Sequence, residues 1–164
     1  MDSYFGGIWK DDYVGQLKYS GDAVVDYVKQ LSPSSVLDVG CGYNRLRDRI
    51  PGLVGIDPYN TEAHLHMSAD VVLCLGSINF GDEKNIDRQI DMLDKLFLKD
   101  IIFRVNPGIT HDWANDDIGG ITWYDWTTDK INKIAEEYHY NLILLKEEHT
   151  SQGHLRYFFH YAKY

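Results

Sequence analysis

Three observations predict an α/β fold with a Rossmann-like, doubly wound, mostly parallel sheet. Helical and strand-like segments alternate along the chain, and the apolar strand-like runs show almost no internal alternation, as strands covered on both faces do. The chain then ends in two strand-like segments with no helix between them, so an antiparallel C-terminal hairpin strand completes the sheet. The 164 residues are expected to form a single domain over positions 1–164, since a chain of this size buries roughly 70% of its unfolded surface.

Residues 1–19 hold Tyr4, Phe5, Trp9, Tyr13 and Tyr19 without a clean period and are expected to form an N-terminal aromatic lid. Val24, Val25, Val28 and Leu31 then fall on one helical face, with Ser20 or Asp22 as cap and Pro33 past the end. Val36–Val39 and Leu53–Asp57 read as the first two strands, the first closed by Gly40-Cys41-Gly42 before a short helix, the second closed by Pro58. Asp70–Gly76 is the third. A helix over Asp82–Leu98 presents Ile86, Ile90, Leu93, Leu96 and Phe97 on one face, and Ile101–Val105 is the next buried strand, broken at Asn106-Pro107-Gly108. Thr127 or Thr128 caps a last helix with Ile131, Ile134, Ala135 and Tyr138 in helical register. Asn141–Lys146 and Leu155–Tyr161 form the hairpin, turning through Ser151-Gln152-Gly153.

Hydrophobic residues make up 44% of the chain and charged residues 25%, a globular composition. The formal charge of −9 repels phosphate backbones and anionic lipid at long range, so nucleic acid is not an expected partner. Cys41 and Cys74 cannot make a disulfide framework. The N-terminus lacks the pattern of a secretory signal, and no apolar run reaches the roughly 18–20 residues of a membrane span. The expectation is a soluble cytoplasmic domain.

The strongest chemical signal is Val36-Leu37-Asp38-Val39-Gly40-Cys41-Gly42. Two glycines directly after a buried strand let the backbone turn sharply and approach a ligand. Asp38 then sits at the strand's carboxyl end, the ligand crevice of an open α/β sheet, where a ligand ammonium suits its charge. About 20 residues further on, Asp57 ends the next strand and can accept bonds from both hydroxyls of an adenosine ribose. A nicotinamide-binding domain is the rival reading, but its third glycine is missing and Asp38 is not part of its fingerprint. No G-x-x-x-x-G-K-[ST] phosphate loop occurs.

At these residues the chain resembles the class I S-adenosylmethionine-dependent methyltransferases. Asp38, Gly40, Cys41 and Gly42 resemble the family's first motif, and Asp57 with Pro58 its ribose-binding acid and the turn after it. Asp70–Ser77 is similar to the fourth-strand motif, so Leu75, Gly76 and Ser77 are expected to line the methyl end. The resemblance implies S-adenosylmethionine as cofactor and in-line methyl transfer to a small molecule or a protein side chain. The alternative is an accessory subunit that binds the cofactor without catalysis. Where this chain has Asn44, the family often has a small residue. Residues 59–69 are too short for the family's usual helix and third strand, which leaves Tyr59 and Met67 as the candidates for the adenine.

No [DNS]-P-P-[YFW] follows the third strand, so an amino-methylating nucleic-acid enzyme is not indicated. The loop over residues 106–126 is expected to overhang the site, with His111 as candidate base. Arg104 is a candidate for a substrate anion, set against pairing with a nearby Asp. His64, His66, His154 and His160 lack metal-ligand spacing, and no metal is expected. Cys41 and Cys74 read as small packing residues, and Glu136-Glu137 and Glu147-Glu148 as solvated faces.

Overall fold

The computed structural model describes residues 22–42, 44–57, 67–107, 122–149 and 153–164. In chain order the elements are α1 (Asp22–Leu31), β1 (Val36–Val39), β2 (Leu53–Ile56), β3 (Ala69–Leu75), α2 (Glu83–Asp94), β4 (Phe97–Val105), α3 (Thr128–Glu137), β5 (Asn141–His149) and β6 (Leu155–Ala162). The six strands form one sheet in the order β2-β1-β3-β4-β6-β5. Strands β1 to β4 pair in parallel, and β6 runs antiparallel between β4 and β5. The predicted hairpin is therefore present, with its last strand inserted beside the parallel ones.

Alternate residues of each strand feed two separate cores. Val36, Val71, Leu73, Ile102 and Phe158 pack with Val24, Val25 and Val28 of α1. Leu37, Val72, Cys74, Ile101, Phe103 and Phe159 pack with Ile86, Ile90 and Leu93 of α2 and Ile131 and Ile134 of α3. Each sheet face thus has its own helices, and the two-sided burial accounts for the missing alternation in β1, β3 and β4.

Both described caps follow the sequence chemistry. Asp82 accepts from the Asn85 amide at 2.9 Å to open α2, and Thr127 accepts from the Lys130 amide at 3.1 Å to open α3. Helix α2 ends at Asp94, short of the expected Leu98, and β4 begins at Phe97 rather than at Ile101. Phe97 is buried because it pairs with Ala69 at the start of the β3–β4 ladder, not because it continues the helical face. Residues 44–49 form successive turns instead of the expected short helix, starting from Asn44 at a φ of 54°. Glu83, Asp91 and Asp94 along α2 accept from the hydroxyls of Tyr124, Tyr138 and Tyr140, and Lys130 bridges Glu83 and Asp87 at 2.6 Å each. No helix of the described residues is long and apolar enough to cross a membrane.

Candidate active site

The order β2-β1-β3 reverses direction at β1, so the chain leaves β1 toward one neighbour and returns on its other side. Such a switch point opens a crevice at the carboxyl ends of the strands. Asp38, Gly40 and Gly42 stand at the end of β1, Asp57 directly follows β2, and Gly76 and Ser77 directly follow β3. The sheet thus gathers Asp38, Gly40, Cys41, Gly42, Asp57, Leu75, Gly76 and Ser77 at one edge. Pro58, Tyr59, His64, His111 and the N-terminal aromatic segment lie outside the described residues. Met67 is described and 42% exposed.

The loop after β1 is fixed by backbone bonds. The amides of Gly40 and Cys41 both donate to the Ile56 carbonyl, at 2.7 and 3.2 Å, and the Gly42 amide donates to Asp57 Oδ2 at 2.9 Å. Gly40 has a φ of 77°, and a Cβ there would lie 2.1 Å from the Ser77 Cβ. Both its conformation and its contact exclude a side chain. Ser77 closes this contact from the β3 side by donating its hydroxyl to the Val39 carbonyl at 2.7 Å, while Cys74 Sγ lies 3.0 Å from Ser77 Oγ. The bend is the seam where the turns after β1 and β3 interlock.

Asp38 is 4% exposed, and no hydrogen bond to its carboxylate occurs among the described residues. Burial first, and the neighbouring Asp57 charge second, push its carboxyl up from 3.8 to about 7. Burial also pushes the Cys41 and Cys74 thiols up to about 12, with Asp38 contributing to both. These are neutral packing groups rather than nucleophiles, as their sequence setting suggested.

Two contributors carried little signal of their own. Gly55 sits within β2, and a Cβ there would meet Asn44 Oδ1 at 2.5 Å and Cys41 Sγ at 2.6 Å. A lone glycine inside a strand is the available signal of such a close approach. Asn79 is 2% exposed; its Nδ2 donates to the Gly76 carbonyl at 3.1 Å and its Oδ1 accepts the Asn106 amide at 2.9 Å. It locks the end of β4 to the turn after β3.

Other expectations change. Arg104 is 7% exposed and pairs with Glu148 of β5 at 3.0 Å, so Glu148 is not part of a solvated face. Strand β6, inserted between β4 and β5, brings these two residues from distant parts of the chain to one place. His160 is 1% exposed and bridges Tyr27 Oη at 2.9 Å and Asp100 Oδ1 at 2.7 Å. It is a bonded core histidine. No cluster of three His, Cys, Asp or Glu able to hold a metal occurs among the described residues.

No protein-family model matches the sequence, and no curated protein matches it. Solved structures do. Magnesium protoporphyrin IX methyltransferase from Synechocystis PCC 6803, with bound S-adenosylhomocysteine, matches with a TM-score of 0.73 at 18% identity, over 96% of this chain and 87% of that one. The 1,6-didemethyltoxoflavin-N1-methyltransferase of Burkholderia thailandensis matches with a TM-score of 0.70 at 13% identity, over 98% and 84%. The N-methyltransferase NodS of Bradyrhizobium japonicum WM9 matches with a TM-score of 0.58 at 11% identity, over 86% and 84%. The fold is that of the class I S-adenosylmethionine-dependent methyltransferases.

Proposed function

We propose that the protein is an S-adenosylmethionine-dependent methyltransferase that acts by in-line transfer to a small molecule or a protein side chain. The observation that carries this reading is Asp38, a buried carboxylate without a hydrogen-bonded partner among the described residues, at the mouth of the switch point. A buried acid in this state calls for a cation, and the ammonium of the cofactor's methionine end supplies one. The glycine bend fits the same group, because Gly40 adds no side chain of its own where the turn packs against Ser77.

On this reading Asp38 binds the ammonium, while Gly40, Cys41 and Gly42 form the floor. Asp57 holds the ribose hydroxyls and braces the loop through the Gly42 amide, and Pro58, next in sequence, belongs to the same subsite. Leu75, Gly76 and Ser77 border the methyl end. When bound, the cofactor supplies an electrophilic methyl on a sulfonium with a neutral leaving group. The protein's contribution is then mainly alignment of the acceptor, worth up to roughly 7–11 kcal/mol in favourable intramolecular models. His111 remains the candidate base, and the N-terminal aromatic segment the candidate lid.

Two of the matched structures are named for small acceptors, magnesium protoporphyrin IX and 1,6-didemethyltoxoflavin, which favours a small molecule here. Titration calorimetry with S-adenosylmethionine tests the reading. Saturable binding that Asp38→Asn weakens is expected. Binding of a nicotinamide dinucleotide in its place would overturn it, and cofactor binding with no transfer to any acceptor would favour the accessory subunit.

A further inference from the structure

The carboxyl end of β4 carries a polar group that the fold itself leaves unsatisfied. Asn106 is 7% exposed, and its Oδ1 is sealed from solvent with no hydrogen-bond partner. Of the carboxamide's two ends, the oxygen is the one sealed without a partner, so the unmet group is an acceptor. A buried carboxamide in this state costs the fold its desolvation without return, and native proteins keep few such groups. A leucine of similar size would serve packing better.

The position is held although the side chain is not. The Asn106 amide is fixed by Asn79 Oδ1, and Asn79 grips the Gly76 carbonyl. The Gly76 amide in turn donates to the Arg104 carbonyl at 2.7 Å, and Ser77 lies against the Gly40 bend. A continuous set of short contacts therefore runs from the first glycine of the cofactor loop to this amide. On the methyltransferase reading the end of β3 borders the methyl group, and Asn79 ties the end of β4 to it.

Resting on the methyltransferase reading, we propose that Asn106 orients the methyl acceptor, its Oδ1 accepting a hydrogen bond from an N–H or O–H on the nucleophilic atom. The substrate class is then an amine or hydroxyl acceptor, not a thiolate or a carboxylate. In the transfer the acceptor's lone pair forms the new bond to carbon. The sulfur–methyl bond breaks with its pair passing to sulfur, and the acceptor's proton passes to solvent. Asn106 holds the N–H or O–H so that the lone pair faces the methyl, and it neither gains nor loses a proton itself.

The test uses the full chain with tritium-labelled S-adenosylmethionine and four probe acceptors: phenol, aniline, thiophenol and benzoate. Wild type, Asn106→Leu and Asn106→Asp are compared, with S-adenosylhomocysteine affinity and thermal unfolding measured on the same preparations. Transfer to phenol or aniline is expected, with kcat/KM at least tenfold lower in Asn106→Leu and partly retained in Asn106→Asp. S-adenosylhomocysteine affinity should stay within twofold, and the Tm of Asn106→Leu should equal or exceed that of wild type. Preference for thiophenol or benzoate, or an unchanged kcat/KM in Asn106→Leu, overturns the proposal. If no probe is methylated, unfolding decides: a lower Tm in Asn106→Leu means the amide is structural and overturns it, while an equal or higher Tm supports it. Failure of the wild type to bind S-adenosylhomocysteine overturns the underlying reading as well, whereas binding with an insensitive Asn106 overturns this one alone.

Discussion

Asp38 gives the most direct quantitative prediction. Its carboxyl moves from 3.8 to about 7 on folding, about three pH decades at 1.36 kcal/mol each, so holding it ionised costs the free protein about 4 kcal/mol. The folded value lies above the unfolded one, so the protonated group's contribution to stability is complete below 3.8. It is lost as pH rises through about 7. A cationic ligand binds the ionised form, whose fraction rises from roughly one tenth at pH 6 to nine tenths at pH 8, so cofactor affinity should rise about tenfold over that interval. Binding at pH 7 should release about half a proton per site, read as a buffer-dependent enthalpy in titration calorimetry. Asp38→Asn removes both effects: affinity falls at least tenfold and loses its pH dependence. The free variant at pH 8 should melt on the order of 10 °C higher, at roughly 2–4 °C per kcal/mol for a domain of this size. Affinity that stays flat between pH 6 and 8 in the wild type, or an Asp38→Asn variant that melts lower at pH 8, would refute the argument.

Five further substitutions, two of them as second-site partners, probe the scaffold. Gly40→Ala meets both a φ of 77° and a Cβ contact of 2.1 Å, so denaturant unfolding should show a loss of about 2–5 kcal/mol, and S-adenosylhomocysteine binding should be lost. Adding Ser77→Gly relieves only the contact, so recovery should be partial. Gly55→Ala overpacks Asn44 and Cys41 and should cost about 1–3 kcal/mol, part of which Asn44→Ala restores. His160→Phe leaves Tyr27 and Asp100 without their shared partner; it should cost about 1–3 kcal/mol while S-adenosylhomocysteine affinity stays unchanged.

The parallel strands were legible because two-sided burial writes itself as an unbroken apolar run, as in Val71 to Leu75. The placement of Asp38, Gly40 and Asp57 at the strand ends was legible because a turn directly after such a run needs glycine. The end of α2 was not. Leu93, Leu96 and Phe97 continue a helical spacing, and only the pairing of Phe97 with Ala69 turns the last of them into a strand residue. Asn44 with its positive φ breaks the expected helix after the glycine loop; asparagine adopts this conformation more readily than most residues, but does not require it. The Arg104–Glu148 pair and the Asn79 clamp depend on strand order and on contacts between separate turns. Local patterns contain neither.

The distribution of satisfied and unsatisfied polar groups supports the proposed site independently of any resemblance. Away from the carboxyl edge, buried polar side chains are matched. Lys130 has Glu83 and Asp87, His160 has Tyr27 and Asp100, and Asp70 has the Ser34 amide and Lys99. The Trp126 Nε1 donates to the Ile78 carbonyl at 2.9 Å. At the carboxyl ends of β1 and β4 the pattern changes: among the described residues Asp38 is a buried acid without a hydrogen-bonded partner, and the Oδ1 atoms of Asn106 and Asn44 and the Nε of Arg156 are buried without one. The backbone around Asp38 and Asn106 is tightly bonded, through Ile56 and Asp57 on one side and Asn79 and Gly76 on the other. Poor packing would leave backbone and side chain equally loose. Rigid backbone beneath unmet side chains is instead the arrangement of a preorganised site, in which the ligand completes the hydrogen bonding. On the methyltransferase reading, the anionic Asp38 at β1 suits a cationic cofactor end and the neutral Asn106 at β4 suits a neutral acceptor.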